Sequence, residues 1–183
     1  MKREVTYEYQ IDLQNYQIRE DDPDIVLYSR RYRESFITCL RRCKNKRLET
    51  ERRKELKKGS KIYLYIPNGR VKGYMVLTAR GRIRDYGVWG KRVTWKQSTE
   101  ILIRLFYACL NDAALNINMP VRFRVPVKYY MLNKHLENVW LTIGCKIKVV
   151  IRYFWVPKEL TILNKSYKTW KRQDLSWVVH KPK

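Results

Sequence analysis

The sequence predicts an α/β domain on a mixed sheet over residues 60–183, behind a basic N-terminal strand/helix extension over residues 1–59. Three observations lead there. Apolar residues alternate at period two in several short segments bounded by Gly, Pro or Asn, the mark of strands. Stretches with apolar residues at helical spacing lie between them, so strand and helix patterns interleave. Hydrophobic residues fill 45% of the 183 positions, enough for a buried core despite a formal net charge of +23.

In the extension, residues 4–13 (Glu-Val-Thr-Tyr-Glu-Tyr-Gln-Ile-Asp-Leu) alternate and read as a strand. Asp21-Asp22-Pro23-Asp24 is a turn. From about Ser29 to Lys58 a long basic segment carries Phe36, Ile37, Leu40 and Cys43 at helical spacing, with Leu48 and Leu56 the only later apolar positions. A helix polar on nearly every side projects into solvent or meets a partner, and Gly59 supplies its stop.

Lys61–Ile66 then reads as a strand, Asn68-Gly69 as a hairpin turn and Val71–Thr78 as the returning strand. After Ala79-Arg80-Gly81, Arg82–Trp89 forms a third antiparallel strand. Ser98 or Thr99 caps a helix whose face is Ile101, Leu102, Leu105, Phe106, Cys109 and Ala113. Val121–Val125 is a strand between Pro120 and Pro126, and a helix is expected around Tyr129–Leu136. Lys146–Val156, rich in Val, Ile and aromatics, is a strand, and Leu160–Trp170 a last helix. The order of the domain is β-β-β-α-β-α-β-α.

Forty Lys and Arg against seventeen Asp and Glu call for a polyanionic partner. No run of eighteen apolar residues exists, and the N-terminus lacks the apolar stretch of a signal peptide. Cys39, Cys43, Cys109 and Cys145 are too few and too scattered for a disulfide scaffold and read as reduced thiols, hence a cytoplasmic location and no membrane partner. Cys39 and Cys43 share one helical face, but a zinc site needs two more ligands, and His135 and His180 lie far off in sequence. No P-loop or dinucleotide glycine motif is present, and no cofactor is expected.

Several local texts carry a resemblance. Ile62–Gly69, Gly73-Tyr74-Met75-Val76-Leu77, Ser98-Thr99-Glu100-Ile101, residues 121–129 and Phe154-Trp155-Val156-Pro157 follow one another as the strands and first helix of the ribonuclease H-like family do. The sequence resembles that family over about residues 61–170. The resemblance implies a two-metal carboxylate site, yet Pro67 and Pro126 stand at two of its acid positions and a region near Lys168 at a third, leaving Glu100 alone. One carboxylate cannot hold two Mg²⁺ ions, so the expectation is a member of the family without metals and without catalytic residues.

The function expected from charge and resemblance together is non-catalytic binding of structured RNA, an RNA–DNA hybrid or duplex DNA, as an assembly or regulatory subunit of a nucleoprotein complex. Arg33, Arg41, Arg42, Lys44, Lys46, Arg47, Arg52 and Arg53 of the extension would lie along a phosphate backbone. Asn68, Arg70, Lys72, Lys128 and Lys168 would add contacts from the domain, with Trp95 stacking on bases beside Lys96, Gln97 and Ser98 at a helix start. The plainer reading of the basic segment is a solvated face paired through Glu49, Glu51 and Glu55, and of Trp89, Tyr153 and Trp155 core packing. Two other classes compete: a divergent metal-dependent nuclease built on Glu100, and a protein-interaction module binding an acidic partner.

Overall fold

The computed structural model describes residues 2–90, 93–117, 119–143 and 145–156. In chain order the elements are β1 (Lys2–Asp12), β2 (Ile25–Leu27), α1 (Arg33–Arg42), α2 (Lys46–Lys57), β3 (Lys61–Tyr65), β4 (Gly73–Leu77), β5 (Arg82–Val88), α3 (Trp95–Asn116), β6 (Val121–Pro126), α4 (Tyr130–Thr142) and β7 (Lys146–Val156). The expected helix over residues 160–170 lies outside the described residues, as does Lys168.

Side-chain alternation on β3 and β4 sets the layers, because successive residues of a strand point to opposite faces. Ile62, Leu64, Tyr74 and Val76 pack on one face against Phe36, Cys39 and Leu40 of α1 and Leu48 of α2. Tyr63, Met75 and Leu77 pack on the other against Leu105, Phe106, Cys109 and Leu110 of α3, joined by Leu132 and Leu136 of α4. Every residue of β4 is therefore buried, as the run Gly-Tyr-Met-Val-Leu requires.

Seven strands form one mixed sheet in the order β2-β3-β4-β5-β6-β1-β7. β1 runs antiparallel to both β6 and β7, from Thr6 opposite Pro126 on one side to Asp12 opposite Lys146 on the other. Glu8 of this strand is buried, and its carboxylate accepts hydrogen bonds from Arg124 Nε and, at 3.0 Å, from Gln10 Nε2. A buried carboxylate needs such charge-assisted partners.

The expected basic helix from Ser29 to Lys58 is two helices. α1 ends at Cys43 with Lys44 in the left-handed region (φ 56°), and the Asn45 amide reaches back to the Leu40 carbonyl at 2.9 Å. The Lys44 amide bonds the Arg41 carbonyl, completing a Schellman ending on a residue with a side chain. Asn45 then caps α2 by accepting from the Leu48 amide and donates Nδ2 to the Tyr74 hydroxyl, both at 3.0 Å. The turn thereby ties α1, α2 and β4 together.

β5 carries an irregularity in its pairing with β4. Val76 pairs with Arg84 and Tyr74 with Gly87, so Asp85 and Tyr86 together stand opposite Met75. Asp85 adopts φ 52°, the left-handed conformation of a bulge. Its carboxylate is held by Arg47 of α2 and by Arg84 Nε at 3.1 Å, while buried Glu55 accepts from Arg47 and Arg84 at 3.3 and 3.2 Å. β5 pairs in parallel with β6 only at Arg82–Arg122 and Ile83–Phe123, before the bulge. Beyond it the Tyr86 hydroxyl donates to the Arg124 carbonyl at 3.3 Å, a side chain standing where main-chain pairing has ended.

A mixed α/β sheet is what the sequence predicts, and its strands fall close to the expected segments. The ribonuclease H-like arrangement is corrected, because a strand's place in a sheet is decided by long-range pairing that local text does not encode. β1 fills the gap between β6 and β7, and a helical pair separates β2 from β3. Asp85→Asn keeps a residue tolerant of positive φ but removes the charge facing Arg47 and Arg84. Its urea unfolding midpoint is expected to fall by the equivalent of about 1–2 kcal/mol.

Candidate functional site

Where β5 and β6 part, the sheet opens into a cavity of about 580 Å³. Its wall takes Tyr86, Gly87 and Val88 from β5, Lys128, Tyr129 and Leu132 from the region after β6, and Val93, Trp95, Ser98, Thr99 and Leu102 from the start of α3. Cys43 reaches it from the end of α1. Ligands of open α/β sheets bind at the carboxyl ends of parallel strands, at the point where strand order is interrupted. Both ingredients coincide here.

The helix start is well built. Thr94 accepts from the Gln97 amide at 3.2 Å, and the Gln97 side chain accepts in return from the Thr94 amide at 2.9 Å. This capping box leaves the amides of the first helical residues, Trp95 and Lys96, with no intrahelical acceptor and the positive end of a 22-residue helix beside the cavity. Thr94-Trp95-Lys96-Gln97 is the capping text in the sequence, so the helix begins before the expected Ser98 or Thr99. Trp95 is 74% exposed, and Tyr129 also stands open to solvent, with Lys128 Nζ 5.5 Å from its ring centre.

Gly87 on the wall is packed closely from the α1 side. A Cβ there would lie 3.0 Å from the Tyr74 ring and hydroxyl and 3.1 Å from Cys43 Sγ. The thiol of buried Cys39, one turn earlier on α1, donates to Cys43 and holds the Cys43 thiol below its ordinary range, against the opposing effect of burial. The Cys39 thiol is pushed up by the same hydrogen bond and by its burial. Among the described residues no group of three or more Cys, His, Asp and Glu could hold a metal ion.

The residues expected to bind nucleic acid are spread over several elements. Trp95, Ser98 and Lys128 line the cavity, and Lys96 and Gln97 are exposed on the first turn of α3. Arg33, Arg41, Arg42, Lys44, Lys46 and Arg53 are exposed on α1, α2 and their turn. Arg47 is committed to Glu51, Glu55 and Asp85, and Arg52 is buried with its guanidinium 5.8 Å from the Tyr28 ring. Asn68 and Arg70 lie in the β3–β4 turn, while Lys72 and Arg42 stand over the Trp89 ring. Glu100 is an exposed residue of α3.

Cys43, Tyr86 and Gly87 were not among the expected site residues. Asp85-Tyr86-Gly87 inside a strand was the available signal, since Asp and Gly weaken strands and mark bulges.

No protein-family model and no curated protein sequence matches the chain. Solved structures do resemble it. A conserved Staphylococcus epidermidis protein of unknown function superposes with a TM-score of 0.54 at 13% identity, covering 83% of this chain and 60% of that one. A Drosophila protein gives 0.56 at 11% identity, with 85% and 52% covered. A protein from Novosphingobium aromaticivorans assigned to the GNAT family of acetyltransferases gives 0.50 at 11% identity, with 84% and 65% covered. The chain spans little more than half the length of the first two.

The shared fold is thus one found in an acetyltransferase family. That corrects the ribonuclease H-like assignment and what was built on it: the nucleic-acid-binding subunit, the divergent nuclease on Glu100 and the protein without enzymatic activity. Among the described residues no helix is long and apolar enough to cross a membrane. Because Tyr74 is buried and cannot yield, Gly87→Ala is expected to lower stability by about 1–3 kcal/mol in urea unfolding.

Proposed function

We propose that the chain is an acyltransferase that takes its acyl group from a coenzyme A thioester bound where β5 and β6 diverge. The observation that carries this reading is the coincidence of an open parallel strand pair with a capped helix N-terminus at the same cavity. A helix N-terminus favours phosphate through its free amides and its dipole, so the diphosphate of the donor belongs beside Trp95 and Lys96. The cavity is within the range that small ligands occupy and is walled largely by apolar groups, with Ser98, Thr99, Tyr86 and Lys128 as its polar points. A net charge of +23 favours the encounter with a donor carrying several phosphate charges.

The acyl group would lie beside the Gly87 and Val88 backbone on the cavity wall. There an acceptor nucleophile forms a bond to the thioester carbonyl carbon, the carbon–sulfur bond breaks, and coenzyme A leaves as its thiol after taking up a proton. The likeness to the GNAT-family structure supports the same chemistry.

Calorimetric titration with acetyl-CoA tests the reading. The wild-type chain binds, and Ser98→Glu weakens binding at least about tenfold, because a carboxylate then faces the phosphates. The same carboxylate in the first turn favours the helix, so circular dichroism should be unchanged. No binding of acetyl-CoA by the wild-type chain contradicts the proposal.

A further inference from the structure

Register fixes the two faces of β5, β6, β1 and β7. Ile83, Phe123, Tyr9, Ile11 and Ile147 turn into the core that α3 and α4 share. The residues between them stand on the other face, the one that carries α1 and α2, as the pairing of Val76 with Arg84 fixes. Among the described residues, the core beneath α1 and α2 takes side chains from β3 and β4 and none from β6, β1 or β7.

That half of the face is cationic. Arg82 stands opposite Arg122, Arg122 opposite Gln10, and Gln10 opposite Lys148, so one row of four residues crosses β5, β6, β1 and β7. At the usual strand spacing the row spans about 14 Å. Arg82, Arg122 and Lys148 are exposed, and among the described residues none of them forms an ion pair. Two residues along each strand, Arg84 is held by Glu55 and Asp85, and Arg124 by buried Glu8. Like charges directly opposite on neighbouring strands cost stability. The Arg82–Arg122 pair is thus a repulsive contact, held in register, to which the fold assigns no acid. Such a local conflict marks a functional surface.

We propose that the row Arg82, Arg122, Gln10 and Lys148 is a docking surface for an acidic helical segment of a partner protein. Charge complementarity selects that occupant. A second copy brings the same net charge of +23, and residues 157–183 carry seven Lys and Arg against two Asp and Glu, so neither complements the row. Carboxylates four residues apart on a helix lie about 5–6 Å from one another, close to the spacing of about 4.8 Å between strands. The planar guanidinium fork also matches a carboxylate through paired hydrogen bonds. The row lies at the starts of β5, β6 and β7, whereas the cavity lies where β5 and β6 end. The surface is therefore separate from the cavity and independent of the donor reading.

Fluorescence anisotropy tests it, with the full chain titrated into a labelled peptide of Ala and Gln carrying Glu at every fourth position. The wild-type chain binds, and raising the salt weakens binding. Arg82→Gln/Arg122→Gln should weaken binding at least about tenfold, with an unchanged circular dichroism spectrum. Arg53→Gln/Lys54→Gln removes the same charge from exposed positions of α2 and should change binding less than about twofold. Without peptide, Arg82→Gln should raise the urea midpoint at low salt, because the repulsion across the strands is relieved. No binding by the wild-type chain, or equal weakening by the two double variants, overturns the proposal. A fall in the Arg82→Gln midpoint also overturns it, since the pair then serves the fold. Tighter binding of a duplex DNA of equal charge at this row overturns the acidic protein as its occupant.

Discussion

The arrangement depends on one strained residue. Asp85 occupies the left-handed region inside a strand, a conformation that costs a residue with a side chain about 1–3 kcal/mol. Asp tolerates it better than most, and Arg47 and Arg84 hold its carboxylate while buried Glu55 accepts from both guanidiniums. The cluster thus fastens the bulge in β5 to helix α2. Without the extra residue the β4–β5 register would continue unbroken, and β5 would have no cause to leave β6 after Ile83.

Everything at the candidate site follows from that departure. Tyr86 spans the opened gap to the Arg124 carbonyl, Gly87 stands on the cavity wall, and the chain after Val88 is free to bring the start of α3 to the cavity. Close packing on both sides holds the geometry. Gly73 lets Ile101 and Leu105 of α3 approach β4, where a Cβ would meet them at 3.1 and 3.3 Å. On the opposite face the α1–α2 turn brings Cys43 and Asn45 against Tyr74 and Gly87. A helix from each layer thus contributes to one cavity, which a flat, fully paired sheet would not permit.

Much of the secondary structure was legible because it rests on local pattern. Lys146–Val156 and Val121–Val125 were readable from alternation, β-branched residues and flanking prolines. The break between α1 and α2 was not, because Lys44 in the left-handed region is the ending that Gly usually signals. The start of α3 was missed by four residues, since Ser98 and Thr99 offered a second capping text beside Thr94 and Gln97. Sheet order lay beyond local pattern. Nothing in Lys2–Asp12 says that it pairs with two strands more than one hundred residues away. Trp95, Ser98 and Lys128 of the cavity wall were named from the sequence, whereas Cys43, Tyr86 and Gly87 were not, because the bulge alone brings them there. The charge of +23 pointed to a polyanion, and the cavity lies beside one helix start.

The central claim is that the forked strands and the α3 start form one binding site for a coenzyme A thioester. Titration of ¹⁵N-labelled protein with acetyl-CoA, followed through amide chemical shifts, addresses it most directly. The account predicts the largest shifts at Gly87, Val88, Trp95, Lys96 and Ser98, with Arg53 and Lys54 on the outer face of α2 unmoved. Shifts confined to that outer basic face, or none at saturating ligand, would contradict it.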